Sequence, residues 1–259
     1  MPPDTTALPV LYRDDDLIAI NKPAGLLVHR SPVDRRETRF ALQMLRDQIG
    51  QWVYPVHRLD KPTSGVLIFA LNPKTAAILS QQFEQRQLYK HYLAIVRGWT
   101  PDEGLIDHPV RDDTDTKASI ERGPARSAIS RYRRLARIEL PCFVERYPHT
   151  RYSLVELFPK TGRRHQLRRH MKHIGHPIIG DAKHGKGVHN RFIAANYQVQ
   201  GLLLSCIEMQ LQHPCANNHL VIRATPGKPF QNLVHHFGWQ QALSQALPWL
   251  ADQTLSTTD

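Results

Sequence analysis

The sequence is poor in cysteine, has no long apolar run, and carries too few acidic residues to balance its basic ones. Cys142, Cys206 and Cys215 are odd in number and widely separated, with no CxxC pair. That pattern argues against a disulfide framework or a thiolate zinc site and fits a reducing compartment. No window approaches the ~18 apolar residues that span a bilayer. The first residues, MPPDTTALPVLYRDDD, lack the basic and apolar segments of a secretion signal. A cytoplasmic protein with no membrane partner is expected. Gly-rich phosphate loops and dinucleotide fingerprints are missing too, since Gly123-Pro124 and Gly185-Lys186-Gly187 read as turn material, so no cofactor is implied. There is no HExxH, and His170, His173 and His176 drift around a helix instead of converging, which argues against a metal-dependent hydrolase and for no metal.

What is present is a chain of 259 residues, 41% hydrophobic, which can bury a core of its own. Lys and Arg number 34 against 23 Asp and Glu, a net charge of +11, and that surplus is the footprint of a polyanionic partner, with nucleic acid foremost.

Along the chain, residues 1–9 read as a leader, 10–240 as one folded domain, and 241–259 as a short helix and tail. Leu17–Ile20 reads as a strand, Asn21-Lys22-Pro23-Ala24-Gly25 as a turn, and Leu26–Val28 as a second strand. Residues 38–50 have helical spacing ending at Gly50. The continuous apolar run Val66–Leu71 predicts a strand buried on both faces. Asn72-Pro73 predicts the N-cap and first position of a helix reaching about Gln87. Strands follow at Tyr89–Val96, Ser127–Ile138 (strongly basic), Tyr152–Phe158, and near 201–211 and 219–224. A basic helix is expected from about Arg163 to Ile174, and residues 100–126 read as a surface excursion with little structure of its own.

Three stretches carry chemistry. In His57-Arg58-Leu59-Asp60-Lys61-Pro62-Thr63-Ser64-Gly65, Asp60 sits at the tip of a loop anchored on the buried strand. An isolated Asp before a turn usually only caps it, but a carboxylate flanked by Arg58 and Lys61 is expected to stay ionised and able to act as nucleophile or base. In Lys90–Gly98, alternation puts Lys90, Tyr92 and Ala94 on one face of a strand. In Thr161–His170, six basic or histidine side chains crowd a helix start, and Arg164, Arg168 and Lys172 repeat at i, i+4, i+8 as a cationic stripe suited to phosphates.

Together the three stretches resemble the RluA-type pseudouridine synthases, whose patterns HRLDxxTSG, KxYxAxVxG and TGRxHQxRxH occur here in order. Asn21–Gly25 and His176-Pro177-Ile178-Ile179-Gly180-Asp181 extend the resemblance over roughly residues 10 to 225. It implies an α+β fold with a central mixed, mainly antiparallel sheet flanked by helices. It also implies isomerisation of uridine in a structured RNA by base flipping, without a cofactor. Asp60 would be the nucleophile, Tyr92 the aromatic against the flipped uracil, and Arg168 the cation paired with Asp60. Arg58 would help extrude the base, and His57, Lys22, Arg163, Arg164, His165, Gln166 and Arg169 would contact RNA. Details such as Gln81–Gln85, Thr150-Arg151-Tyr152 and Lys183-His184-Gly185 resemble the members that act on tRNA at uridine 65 more than those that act on ribosomal RNA. A monomer is expected. One departure is Leu204-Ser205-Cys206, where the family commonly has Leu-His-Ala. A protein that only binds RNA would explain the charge but needs no carboxylate at the tip of a cationic loop.

Overall fold

In the computed structural model, residues 7–30, 37–111 and 124–249 are described. The elements in chain order are β1 (Val10–Arg13), β2 (Leu17–Lys22), α1 (Ala41–Ile49), β3 (Tyr54–Pro55), β4 (Ser64–Ala70), α2 (Pro73–Glu84), β5 (Tyr89–Arg97), β6 (Glu103–Asp107), β7 (Val110–Arg111), β8 (Ala125–Arg126), β9 (Ile129–Leu140), β10 (Thr150–Pro159), α3 (Gln166–His173), α4 (Gly187–Tyr197), β11 (Leu204–Gln212), β12 (His219–Arg223), α5 (Lys228–His236) and α6 (Gln240–Ala246). Chain contacts divide them into two units. The first holds the described residues up to Lys90 together with Cys206–Ala224; the second holds the rest.

In the first unit the strands run β1-β2-β4-β11, with β12 beside β11 and β3 beside β4. Every residue of β4 is buried, as its unbroken apolar run requires, and it pairs antiparallel with β2, Leu17 facing Ala70 and Lys22 facing Gly65. Gly65 has φ +110°, and a Cβ there would lie 2.0 Å from the carbonyl oxygen of Cys206, so the close approach of β4 to β11 requires glycine. α2 starts as its sequence predicts: Asn72 caps it by accepting from the Thr75 N–H at 2.9 Å, and Pro73 occupies the first position. α1 ends at Gly50 in the left-handed conformation.

In the second unit the strands run β5-β10-β9-β6, each neighbouring pair antiparallel. Leu93, Ile95, Leu154 and Val155 are fully buried in this sheet, and Ile193, Leu233 and Phe237 from the helical segments are buried in the same unit. The α+β class expected from the sequence is therefore observed. No helix among the described residues is long and apolar enough to cross a membrane.

Several local expectations need correction. Leu26–Val28 is not a strand: the Leu27 and Val28 carbonyls accept from the Ala41 and Leu42 N–H groups, satisfying the start of α1. The 100–126 excursion is partly ordered, because Glu103–Asp107 forms β6 along the edge of β9, and Val110–Arg111 pairs with Ala125–Arg126; residues 112–123 lie outside the described set. Gly185-Lys186-Gly187 leads into α4, a helix the sequence reading missed, as it missed β1 and α5. In α5 the signal was present, since Phe230, Leu233 and Val234 are buried at i, i+3, i+4.

Candidate active site

The loop bearing Asp60 belongs to the first unit, and its geometry follows from what closes it. The Thr63 N–H donates to the Asp60 carbonyl at 3.0 Å, making a tight turn that leads directly into β4. Asp60 is half-buried and Arg58 exposed. Under the loop lies Lys22, with no exposed surface, whose Nζ donates to the carbonyls of Pro23 (2.9 Å), Leu26 (2.7 Å) and Lys61 (3.2 Å). Burial lowers its pKa to about 7, against which the negative charge of Asp60 works to keep it protonated.

These contacts revise three expectations. Lys22 was expected on RNA, but its ammonium is spent on internal carbonyls, so its charge acts on the loop from beneath. Lys61 was expected to flank Asp60 electrostatically; its Nζ instead pairs with Glu37 at 2.6 Å. His57, also expected on RNA, accepts from the Ile68 N–H through Nε2 at 2.9 Å and stacks on Phe83 with ring centroids 4.6 Å apart. Burial pushes its pKa down to about 3, so it is a neutral brace between loop and strand.

The second unit holds Tyr92 and the helix-start motif. Tyr92 is buried in β5 opposite Leu157 of β10. Gln166 was expected on RNA but is buried, and its side chain ties the turn together: Oε1 accepts from the Thr161 hydroxyl (2.7 Å) and the Arg163 N–H (3.0 Å), while Nε2 donates to the Ile129 carbonyl (3.0 Å) and the Ser130 hydroxyl (2.9 Å). Arg168 breaks the expected surface stripe by turning inward. Its guanidinium forks onto Asp181 at 2.7 and 2.8 Å, a pair with side chains only 6% and 0% exposed. Burial alone would raise the Asp181 pKa, but Arg168 and the N–H groups of His184 and Lys183 outweigh it and hold the carboxyl below its ordinary range. Sequence reading placed Asp181 in a motif without seeing this role, because the 13-residue separation from Arg168 carries no local signal.

His165 sits at φ 55° just before α3, an uncommon conformation for a side chain, with Nδ1 2.9 Å from Nε2 of His184. Burial lowers the His184 pKa to about 4. His170 is buried: its Nε2 donates to the His108 carbonyl at 2.9 Å, so Nδ1 accepts from the Ser130 hydroxyl at 3.0 Å. Arg163, Arg164 and Arg169 stay half-exposed at the same corner, with Arg163 Nε 3.4 Å from the Ser127 carbonyl and Arg169 donating to the Arg111 carbonyl. Ser205, where the family commonly has His, is buried, and its hydroxyl has no hydrogen-bond partner among the described residues. No cluster of three or more metal-ligating side chains occurs among the described residues.

The carboxylate loop of the first unit and the electropositive helix start of the second each suit a protein that acts on RNA. The family model described as RNA pseudouridylate synthase matches residues 16–173, and the chain belongs to that family. It is 48% identical over 239 residues to the tRNA pseudouridine synthase C of Vibrio cholerae, covering 91% of this chain and 98% of the relative. It is 50% identical over 234 residues to that of Haemophilus ducreyi, covering 90% and 96%. Among solved structures, Human RNA Pseudouridylate Synthase Domain Containing 4 superposes with a TM-score of 0.66 at 25% identity, covering 90% of this chain and 95% of that one.

Proposed function

We propose that the protein converts uridine 65 of tRNA to pseudouridine, with Asp60 as the nucleophile and no cofactor. The observation that carries this reading is the Asp60 loop, which braces a half-buried carboxylate above the ammonium of Lys22 and at the head of a rigid strand. The similarity to tRNA pseudouridine synthases over nine-tenths of the chain supports the choice of tRNA.

In the reaction, Asp60 attacks the ribose and the bond from N1 of uracil to C1′ breaks. The freed uracil turns, C5 bonds to C1′, the carboxylate leaves, and C5 gives up its proton while N1 gains one. Atoms and electrons balance within the nucleotide, so no oxidant, reductant or energy source is consumed. Tyr92 packs against the flipped uracil, and the cation of Arg168 is held in place by Asp181. Arg58 is exposed, and its planar guanidinium fills the gap left by the extruded base, offsetting part of the few kcal/mol that unstacking costs. Arg163, Arg164 and Arg169 take phosphates. The protein works as a monomer in the cytoplasm, a compartment supported by its three free cysteines.

Chemical mapping of tRNA from cells lacking the protein tests this. Pseudouridine should be missing at position 65 alone, and restored by the wild-type chain but not by Asp60→Asn. Unchanged modification at position 65 would refute the assignment.

A further inference from the structure

Beyond Ile129 and Ser130, which brace the start of α3, the basic strand β9 has no part in the site described above, yet it holds more arginines than any other strand among the described residues. Its arginines fall into two groups. Arg133 pairs with Glu156 at 2.7 Å, and Arg134 with Asp102, so their charge is compensated. Arg131 and Arg137 have no carboxylate partner among the described residues; each lies instead over an aromatic ring, Arg131 over Phe158 at 5.3 Å and Arg137 over Trp99 at 4.7 Å. The turn joining β9 to β10 repeats the arrangement, with Arg146 over Tyr147 at 5.6 Å. All three arginines are exposed.

A guanidinium held over a ring has less freedom to lose on binding than a free one. The Trp99 ring is itself fixed, because its indole N–H donates to the Ile138 carbonyl at 2.9 Å. At the turn, Phe143 is 67% and Tyr147 58% exposed, far more than their apolar area favours. Beside Tyr147 opens a cavity of about 400 Å³, whose walls include Arg97, His149 and Arg151. That volume has ample room for a nucleobase. Cations beside exposed aromatic faces form the usual platform for unpaired nucleic acid.

We propose that the β9–β10 hairpin is a second RNA-binding surface. Arg137 and Arg146 take phosphates, and the cavity beside Tyr147 takes one unpaired base, from a part of the substrate RNA beyond the target arm. Arg137 faces Ser153, four residues along β10 from the Tyr92–Leu157 pair and on the same face, and the turn ends at Thr150, three residues further, roughly 23 Å from that pair at the rise of a strand; Arg131, opposite Phe158, points to the other face. An RNA held at its target uridine therefore reaches this surface only through another segment. The inference rests on the proposed action on RNA.

The test compares full-length tRNA with a short stem-loop that carries only the target arm. The wild-type chain is set beside Arg137→Ala/Arg146→Ala and Tyr147→Ala, with binding, salt dependence and turnover measured for each. The double variant should bind full-length tRNA at least tenfold more weakly, with a log–log salt slope shallower by about two, one per phosphate contact. Its kcat at saturating tRNA should be unchanged, and it should match wild type on the stem-loop, which also shows that it is folded. Tyr147→Ala should weaken tRNA binding while leaving the salt slope alone, because stacking releases no counterions. Unchanged tRNA affinity in the double variant, or an equal loss on both RNAs, would overturn the second surface; unchanged affinity in Tyr147→Ala would overturn the base seat. A wild-type chain that binds tRNA in this pattern but forms no pseudouridine would count against the proposed function and not against the surface.

Discussion

Lys22 is the residue whose behaviour differs most from what its sequence context suggests. Its pKa of about 7 in the folded protein stands against 10.5 for an exposed lysine, so between those values the unfolded chain holds a proton that the folded chain has released. Folding is thus penalised by this group at neutral pH and relieved as pH rises. The stability of the wild-type chain relative to Lys22→Met should increase from pH 7 towards pH 10, by up to about 1.4 kcal/mol per pH unit. Urea unfolding of both proteins at pH 7, 8 and 9 checks this, and parallel pH profiles would contradict it. From sequence, a lysine in the turn Asn21–Gly25 looked like an RNA-facing cation, because lysines in turns are usually solvated. Its burial depends on a carbonyl 39 residues away, that of Lys61, which only the folded loop brings beneath Asp60.

Secondary-structure elements hold the site through two junctions that are equally open to test. Gly65→Ala should destabilise the protein by at least about 2–3 kcal/mol, since φ +110° strains any side chain and the added Cβ meets the Cys206 backbone. A thermal melt within a degree of wild type would contradict the close strand approach. Asp181→Ala leaves the charge of Arg168, on α3, buried without this partner and should cost about 3–5 kcal/mol. The contribution of Asp181 has the sign of a depressed carboxyl: fully present above its ordinary pKa of 3.8 and lost as pH falls further. The gap between wild type and Asp181→Ala in denaturant unfolding should therefore narrow below pH 4. Elements with strong local signals were legible in advance, among them β4 from its unbroken apolar run and α2 from its Asn-Pro start. Those resting on tertiary pairing were not: β6 is polar and gains its order from β9, and α4 begins at a glycine with no side-chain cap. The motifs themselves can be read in the sequence. What each side chain touches was less legible, as Gln166 and His57 demonstrate, because hydrogen-bonding residues in a motif brace the backbone as readily as they meet a ligand.

Across the whole molecule, the charge of +11 separates affinity from chemistry. Binding rests on many cation–phosphate contacts, so Arg164→Ala should weaken binding to tRNA and reduce the log–log salt slope by about one, and an unchanged slope would remove Arg164 from the RNA interface. In the proposed reaction, chemistry rests on one carboxylate, which contributes nothing favourable to holding a polyanion. Replacing Asp60 with Asn keeps the size and much of the hydrogen bonding but removes the anionic oxygen that the proposed attack needs. The most direct measurement is single-turnover isomerisation of tRNA by Asp60→Asn, with a binding titration alongside. The account predicts no pseudouridine and an affinity equal to or slightly tighter than wild type; substantial isomerisation by the folded variant would contradict it.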